Sequence, residues 1–359
     1  MSQQGPRDKR APRKVKELSD GWRHKLTPLE PFDVFQARTA AEMLERLKRT
    51  AFGARSLGEA ADVLYEMVTD RRCFVVGTFS GAMTIAKMGL LIADMIDQGL
   101  LHAVVSTGAL MCHGLVEQIG STHFRHDPSW SDEELYEAGY DRVYDTLELE
   151  QNLYKTEQIL VRAVESFGPD QAFGSWELHR RIGEQLNAEG VGRGMLQSAA
   201  ARGVPIYVPA LTDSELGLDL FAYNYIGEMF GTHRPARYDA LRDLADLYQR
   251  VSAAERLGIF TIGGGVPRNW AQQIGPLGEI IYNRTDGQAG KLIRFHYGVR
   301  ICPEPAHWGG LSGCTFSEGV SWGKFVPPAE GGRFAEVLCD ATIAWPILVR
   351  AVLERLGRV

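Results

Sequence analysis

The sequence predicts an α/β fold, a mostly parallel sheet with helices on both of its faces. Three observations carry this. Short apolar runs recur along the chain, each is followed by a loop of Gly, Thr, Ser or Asp, and helical periodicity fills most of the intervals between them.

The elements follow in order. A helical pattern begins at about residue 38. CFVVG (73–77) predicts a buried strand, and the loop TFSG leads into AMTIAKMGLLIADMIDQG. There Met88, Leu91, Ile92 and Met95 fall at i, i+3, i+4 and i+7 and share one helix face. Ser80 is placed to cap that helix and Gly99 to end it. AVVS (103–106) is the next strand, followed by the small residues TGA. PIYV (205–208), IFTI (259–262), LIRFH (292–296) and EVLC (336–339) repeat the rule. Sheets of this kind place ligands at the carboxyl ends of their strands. That selects the loops 78–81, 107–114, 209–219, 263–273 and 340–342. Loop 304–324 joins them on its Gly, Ser and Trp content.

The chain has 359 residues, 45% apolar and 23% charged, enough to bury a large core without disulfide or metal staples. Its net charge of −6 argues against a nucleic-acid partner and suits a cationic ligand. Cys73, Cys112, Cys302, Cys314 and Cys339 are scattered with no CxxC, so neither a zinc site nor a disulfide framework is expected, and a cytoplasmic compartment is. The basic N-terminus has no apolar run behind it and does not read as a secretory signal; no transmembrane helix is expected. Residues 1–25 read as a basic flexible tail, or as an arm that docks on a neighbouring subunit. Residues 26–359 read as a single catalytic domain.

Several loops have residue types that carry chemistry. Thr78, Ser80, Gly81, Thr107, Gly108 and Gly263–Gly265 leave the backbone open to a ligand, and helix N-termini behind such loops attract phosphate. This suits a dinucleotide, although GxGxxG is absent; the alternative is a set of tight connecting turns. The triplet 263–265 is either bare for close approach of a flat group or a flexible turn. Asp213, Glu215 and Asp219 either hold ammonium groups or cap a helix and face solvent. In SEGVSWGK (317–324), Lys324 follows Ser321 by three residues and Trp322 by two. An indole stacks over a cation, and a lysine among apolar and aromatic groups becomes a neutral amine able to form a Schiff base. An exposed loop lysine is the alternative. His113, His123, His126 and His307 show no metal-binding spacing.

Six segments in order, GTFSGAMTIAKMG, VVSTGA, VPIYVPALTDSELG, IGGGVPRN, SEGVSWGK and LCDATIAWPIL, resemble deoxyhypusine synthase and its bacterial and homospermidine-synthase relatives over about residues 30 to 355. The resemblance implies a Rossmann-like, NAD-binding fold and a transferase working through a lysine imine. It implies Lys324 as the imine-forming residue, with Trp322 and Glu318 beside a polyamine and Glu215, Asp219 and Asn269 in the substrate site. It sets NAD along Ser80, Thr84, Thr107, Gly108, Asp213, Asp340 and Ala341, with Gly264 and Gly265 near the nicotinamide, and no metal. It also implies a homotetramer with active sites at a dimer interface.

Four departures stand out. Asn269 occupies the place of the family's catalytic histidine, Leu218 and Leu311 replace two polyamine-binding aspartates, and Cys112 and His113 replace two glutamates. The leading expectation is an NAD-dependent transferase joining small amines into homospermidine or a guanidino polyamine. The alternatives are a deoxyhypusine synthase, moving the aminobutyl group of spermidine to a protein lysine, and an NAD-binding protein that has lost catalysis.

Overall fold

A computed structural model of the chain describes residues 12, 15, 18–81 and 83–359. The expected tail, 1–25, lies for the most part outside the described residues. Two helices come first, α1 (Ala40–Leu47), whose N-cap Thr39 accepts from Glu42 N, and α2 (Phe52–Thr69). β1 (Cys73–Phe79), α3 (Gly89–Asp97), β2 (Ala103–Val105) and α4 (Gly108–Gln118) follow. A small excursion contains β3 (Phe124–Arg125), α5 (Asp132–Glu137), β4 (Tyr140–Val143) and β5 (Thr146–Leu149). Next come α6 (Glu150–Glu165), β6 (Ala172–Phe173), α7 (Ser175–Glu189), α8 (Met195–Arg202), β7 (Ile206–Tyr207) and α9 (Glu215–Phe230). β8 (Arg237–Tyr238), α10 (Ala240–Ala253), β9 (Arg256–Ile262), α11 (Gly265–Gln272) and α12 (Ile274–Arg284) lead to β10 (Phe295–Ile301). The chain closes with α13 (Phe316–Ser321), β11 (Arg333–Val337) and α14 (Ala341–Arg355).

The main sheet has six strands in the order β11-β10-β9-β1-β2-β7, all paired in parallel. This is the predicted architecture. Two predicted strands move along the chain. The run expected at 292–296 is strand only from Phe295, and a register shift between Phe295 and Tyr297 breaks the side-chain alternation a sequence reader relies on. The run expected at 336–339 begins at Arg333, because the edge strand carries Arg333 and Glu336 among its apolar residues.

Successive strand residues point to opposite faces, and this divides the core in two. Val75, Phe79, Val104, Ile206, Phe260 and Val299 face one layer, with Leu64 of α2, Ile92 of α3, Leu110 of α4, Leu216 of α9 and Trp345 of α14. Val76, Ala103, Val105, Tyr207 and Ile259 face the other, with Leu247 of α10, Ala271 of α11, Ile274 of α12 and Phe316 of α13. α4 and α9 thus belong to one layer, and α11 and α13 to the other.

The helix expected after TFSG starts late, at Gly89. Lys87 is left-handed at φ 65 and interrupts the helical run, so Ser80 does not cap it. Gly99 ends it as expected, at φ +66. Among the described residues no helix is long and apolar enough to cross a membrane.

Trp345 is fully buried and stacks on Phe79 at 5.3 Å, with Phe260 at 6.4 Å. Trp345→Ala is expected to destabilise the fold by about 3–5 kcal/mol. The urea midpoint should fall with its slope unchanged; an unmoved midpoint would contradict this packing.

Candidate active site

Lys324 owes its position to backbone pairing. Its carbonyl accepts from Phe295 N at 2.9 Å, and the adjacent Phe325 bridges to Phe295, which fixes the segment against the start of β10. The residues before it are not a loop, as the sequence suggested, but the short helix α13. Thr315 caps that helix by accepting from Glu318 N, and Gly323 at φ +68 lets the chain turn out of it. Only 8% of Lys324 remains exposed. Its Nζ donates to Asn269 Oδ1 at 3.1 Å and lies 5.7 Å from the centroid of the Trp322 ring. Burial pushes the Lys324 pKa down, and the Arg268 guanidinium acts in the same direction against the opposing pull of Cys314 and Glu318.

The amine opens into a cavity of ≈ 230 Å³. Arg268, Asn269 and Gln272 of α11 form one wall, Leu311 and Cys314 another, and Glu318 and Trp322 a third. The expected trio Trp322, Glu318 and Asn269 therefore does converge on Lys324. Leu311 presents an apolar side chain there, and Glu318 is the only carboxylate in the lining.

A crevice at the carboxyl ends of β1 and β9 adjoins this cavity. The strand order reverses there, since β1 leads to β2 on one side and β9 to β10 on the other. Ser80 Oγ accepts from Gly264 N at 2.9 Å and donates to Ile262 O at 3.2 Å. Gly263 has φ +75, and a Cβ on Gly264 would stand 2.6 Å from Ser312 Cα. The glycine triplet is thus a tight, ordered entry into α11 rather than a flexible turn. Ser312 belongs to the same loop as Leu311 and Cys314, so the loop joins crevice to cavity.

The other residues assigned to the cofactor are spread around this edge. Thr107 caps α4, accepting from Leu110 N at 3.2 Å, and Gly108 lies so close to Ser214 that no Cβ would fit. Ser214, not Asp213, caps α9 by accepting from Gly217 N; Asp213 is exposed. Thr84 is buried and its hydroxyl is committed to Leu110 O. Asp340 caps α14 by accepting from Thr342 N at 2.7 Å, and Ala341 is buried behind it.

Glu215 and Asp219 do not join Lys324. They sit on α9, in the layer on the opposite face of the sheet, and neither lines the cavity. Each keeps one buried carboxylate oxygen without a partner. Burial, reinforced by Glu157 and Glu215, pushes the Asp219 carboxyl up to about 6. Beside them is a group the sequence did not reveal: His113 and His123 both contact Glu148, at 3.0 and 2.6 Å. These three residues come from separate elements and form no linear motif, so only the fold assembles them.

A family model described as deoxyhypusine synthase matches residues 42–352. A protein named probable deoxyhypusine synthase 2 from Methanosarcina acetivorans is 33% identical over 330 residues, covering 91% of this chain and 90% of that protein. A deoxyhypusine synthase-like protein from Chlorobaculum tepidum is 30% identical, over 85% of this chain and 84% of its own length. Among solved structures, a candidate deoxyhypusine synthase from Entamoeba histolytica superposes with a TM-score of 0.56, covering 90% of this chain and 96% of that chain. At 15% identity that likeness shows the fold.

Because its ammonium form is disfavoured, Lys324 should react with an amine-directed acylating reagent at lower pH than the surface lysines. Competitive labelling read by peptide mass spectrometry measures this. A labelling midpoint equal to that of the surface lysines would show that burial does not perturb the amine.

Proposed function

Since this chain belongs to the deoxyhypusine synthase family, we propose that it moves a four-carbon amine unit from a polyamine donor by way of an imine on Lys324. Members of that family are aminobutyl transferases that use NAD. One observation carries the reading. Lys324 is a buried amine with a depressed pKa beside an indole, in a cavity open to a small substrate.

The chain's own groups suit the steps. Neutral Nζ attacks the carbon of the oxidised donor, the first amine leaves, and the four-carbon unit stays attached to Lys324 as an imine. A second amine then displaces Lys324. Asn269 Oδ1 orients Nζ through the 3.1 Å hydrogen bond, and Trp322 covers the cationic intermediate with its ring face. The strand-end crevice fits a dinucleotide: Gly264 and Gly108 allow backbone approach that a Cβ would block, and the N-termini of α4 and α11 converge on it. Ser80, Thr107, Gly108, Gly264 and Gly265 would hold NAD, with Asp213, Asp340 and Ala341 at the periphery. Bound NAD would accept a hydride and return it, leaving the overall transfer redox-neutral.

The relatives' names support a protein lysine as acceptor at least as well as the homospermidine reading with which the sequence led. The small-amine reading rests on Leu218 and Leu311: where the family has aspartates, this chain has apolar side chains, and Glu318 is left as the lone carboxylate of the cavity.

A second copy would complete the site. α9 exposes Leu218, Phe221, Tyr225, Ile226, Met229 and Phe230 beside Glu215 and Asp219, an apolar face of the kind that marks a subunit contact. Trp308, Leu311 and Trp322 are exposed around the Lys324 cavity. Packing these patches together in a dimer, and dimers into a tetramer, would bring acidic side chains opposite Lys324. Residues 26–359 act as one catalytic unit in this reading, and five unpaired cysteines suit the cytoplasm.

The test is incubation with NAD, a polyamine panel and, separately, the translation factor that carries hypusine, with products read by mass spectrometry. Borohydride should trap a butylamine adduct on Lys324. Lys324→Ala should still bind NAD but give neither adduct nor product; undiminished product from that variant would refute the mechanism.

A further inference from the structure

The cluster around Glu148 forms a chain of charges leading to an imidazole without a partner. Glu148 is buried on β5, and its Oε1 accepts from Asn152 Nδ2 and Leu149 N, both at 2.9 Å. Burial alone would raise its pKa. Hydrogen bonds from His113, His123 and Asn152 outweigh burial and hold the carboxyl well below the usual carboxylate range, so it is an anion.

Lys87 sits behind His123, with Nζ 2.6 Å from Glu117 Oε1 and 2.8 Å from His123 Nδ1. An ammonium has no lone pair, so His123 Nδ1 must accept and the His123 proton lies on Nε2, on the side of Glu148. On the other side, His113 Nδ1–H donates to Glu148 Oε2 at 3.0 Å. His113 Nε2 is then a lone pair. It has no hydrogen-bond partner among the described residues, and the side chain keeps 13% exposure.

The groups around it are acidic. Asp141 on β4 has its carboxyl pushed up by burial and by Glu150, Glu148 and Glu215, with His113 opposing. Glu215 and Asp219 on α9 have carboxylate oxygens without partners. A base and several unpaired acceptors in one place form a receptor for a substrate ammonium group.

We propose that His113 is the general base for the accepting amine, taking its proton so that it attacks the carbon held on Lys324 of a second copy. This rests on the transfer reading above. His113 and Lys324 lie in layers on opposite faces of one sheet, so the two meet only between copies. The acceptor ammonium gives one proton to Nε2. Its nitrogen then bonds to the carbon of the protonated imine, the bond from that carbon to Nζ breaks, and Lys324 leaves as a neutral amine. Once the new imine is reduced by the returned hydride, the product amine takes the proton back from Nε2. Glu148 is a positioning residue that fixes the tautomer and orientation of His113.

His113→Gln and His113→Asn should still form the borohydride-trapped adduct on Lys324 while passing it to the acceptor about 100-fold or more slowly. The deficit should shrink as pH rises and solvent deprotonates the acceptor. Glu148→Gln should disturb the acid side of the same pH profile. Without NAD, 1,4-diaminobutane should shift the His113 ring signals in an NMR titration. Hybrid oligomers of Lys324→Ala and His113→Gln chains should regain transfer, because some sites then combine an intact Lys324 with an intact His113.

Wild-type transfer rates in both His113 variants, equal loss of adduct and transfer, an NMR titration that leaves His113 unmoved, or hybrids without activity would each overturn the proposal while leaving the Lys324 mechanism standing. Stoichiometric metal on His113, His123 and Glu148 in the purified protein would overturn it as well. If the wild-type protein forms no adduct at all, the transfer reading itself falls, and this proposal with it.

Discussion

One backbone bond, from Phe295 N to the carbonyl of Lys324, holds the reactive amine where water is scarce. A lysine in a mobile loop would keep its proton at neutral pH and remain an ammonium. Pairing with the start of β10 removes that freedom, and Gly323 lets the chain leave α13 at the angle the pairing needs. The depressed pKa follows from the burial that this bond enforces. The roles assigned to Asn269, Trp322 and Glu318 presuppose an amine fixed in this way.

The alternation of side chains across the sheet is the second constraint. It puts α11 and Lys324 in one layer, and α4, α9 and their acids in the other. A polyamine needs both a nucleophile and carboxylates for its ammonium groups, and one chain presents them back to back. The exposed apolar face of α9 runs beside Glu215 and Asp219, so one contact between copies would bury that face and join the two halves of the chemistry.

The departures from the family pattern fall in this divided site rather than in the scaffold. Leu311 lies in the Lys324 cavity, Leu218 on the α9 face, and Cys112 and His113 on α4. Burial keeps the Cys112 thiol neutral, which leaves His113 as the member of that pair able to exchange a proton. The crevice at β1 and β9 keeps its tight glycines and helix N-termini. That is the pattern of a protein whose redox machinery is held constant while its amine recognition changes.

Much of the fold was legible in the residues, because apolar runs and small-residue loops report burial and chain reversal directly. The parallel sheet, the strand-end loops and the convergence of Trp322, Glu318 and Asn269 on Lys324 were all readable in that way. Strand ends were less so, since a register shift at Phe295 and charges on the edge strand β11 disturb the alternation. Ser80 looked like a helix cap and instead ties β1 to β9, a bond across 184 residues that no local pattern encodes. The contact of His113 and His123 with Glu148, and the separation of Glu215 and Asp219 from Lys324, depend on which face of the sheet each helix covers. Local sequence sets what each segment is; packing in three dimensions decides which side chains meet, because proximity between distant residues is a property of the folded chain alone.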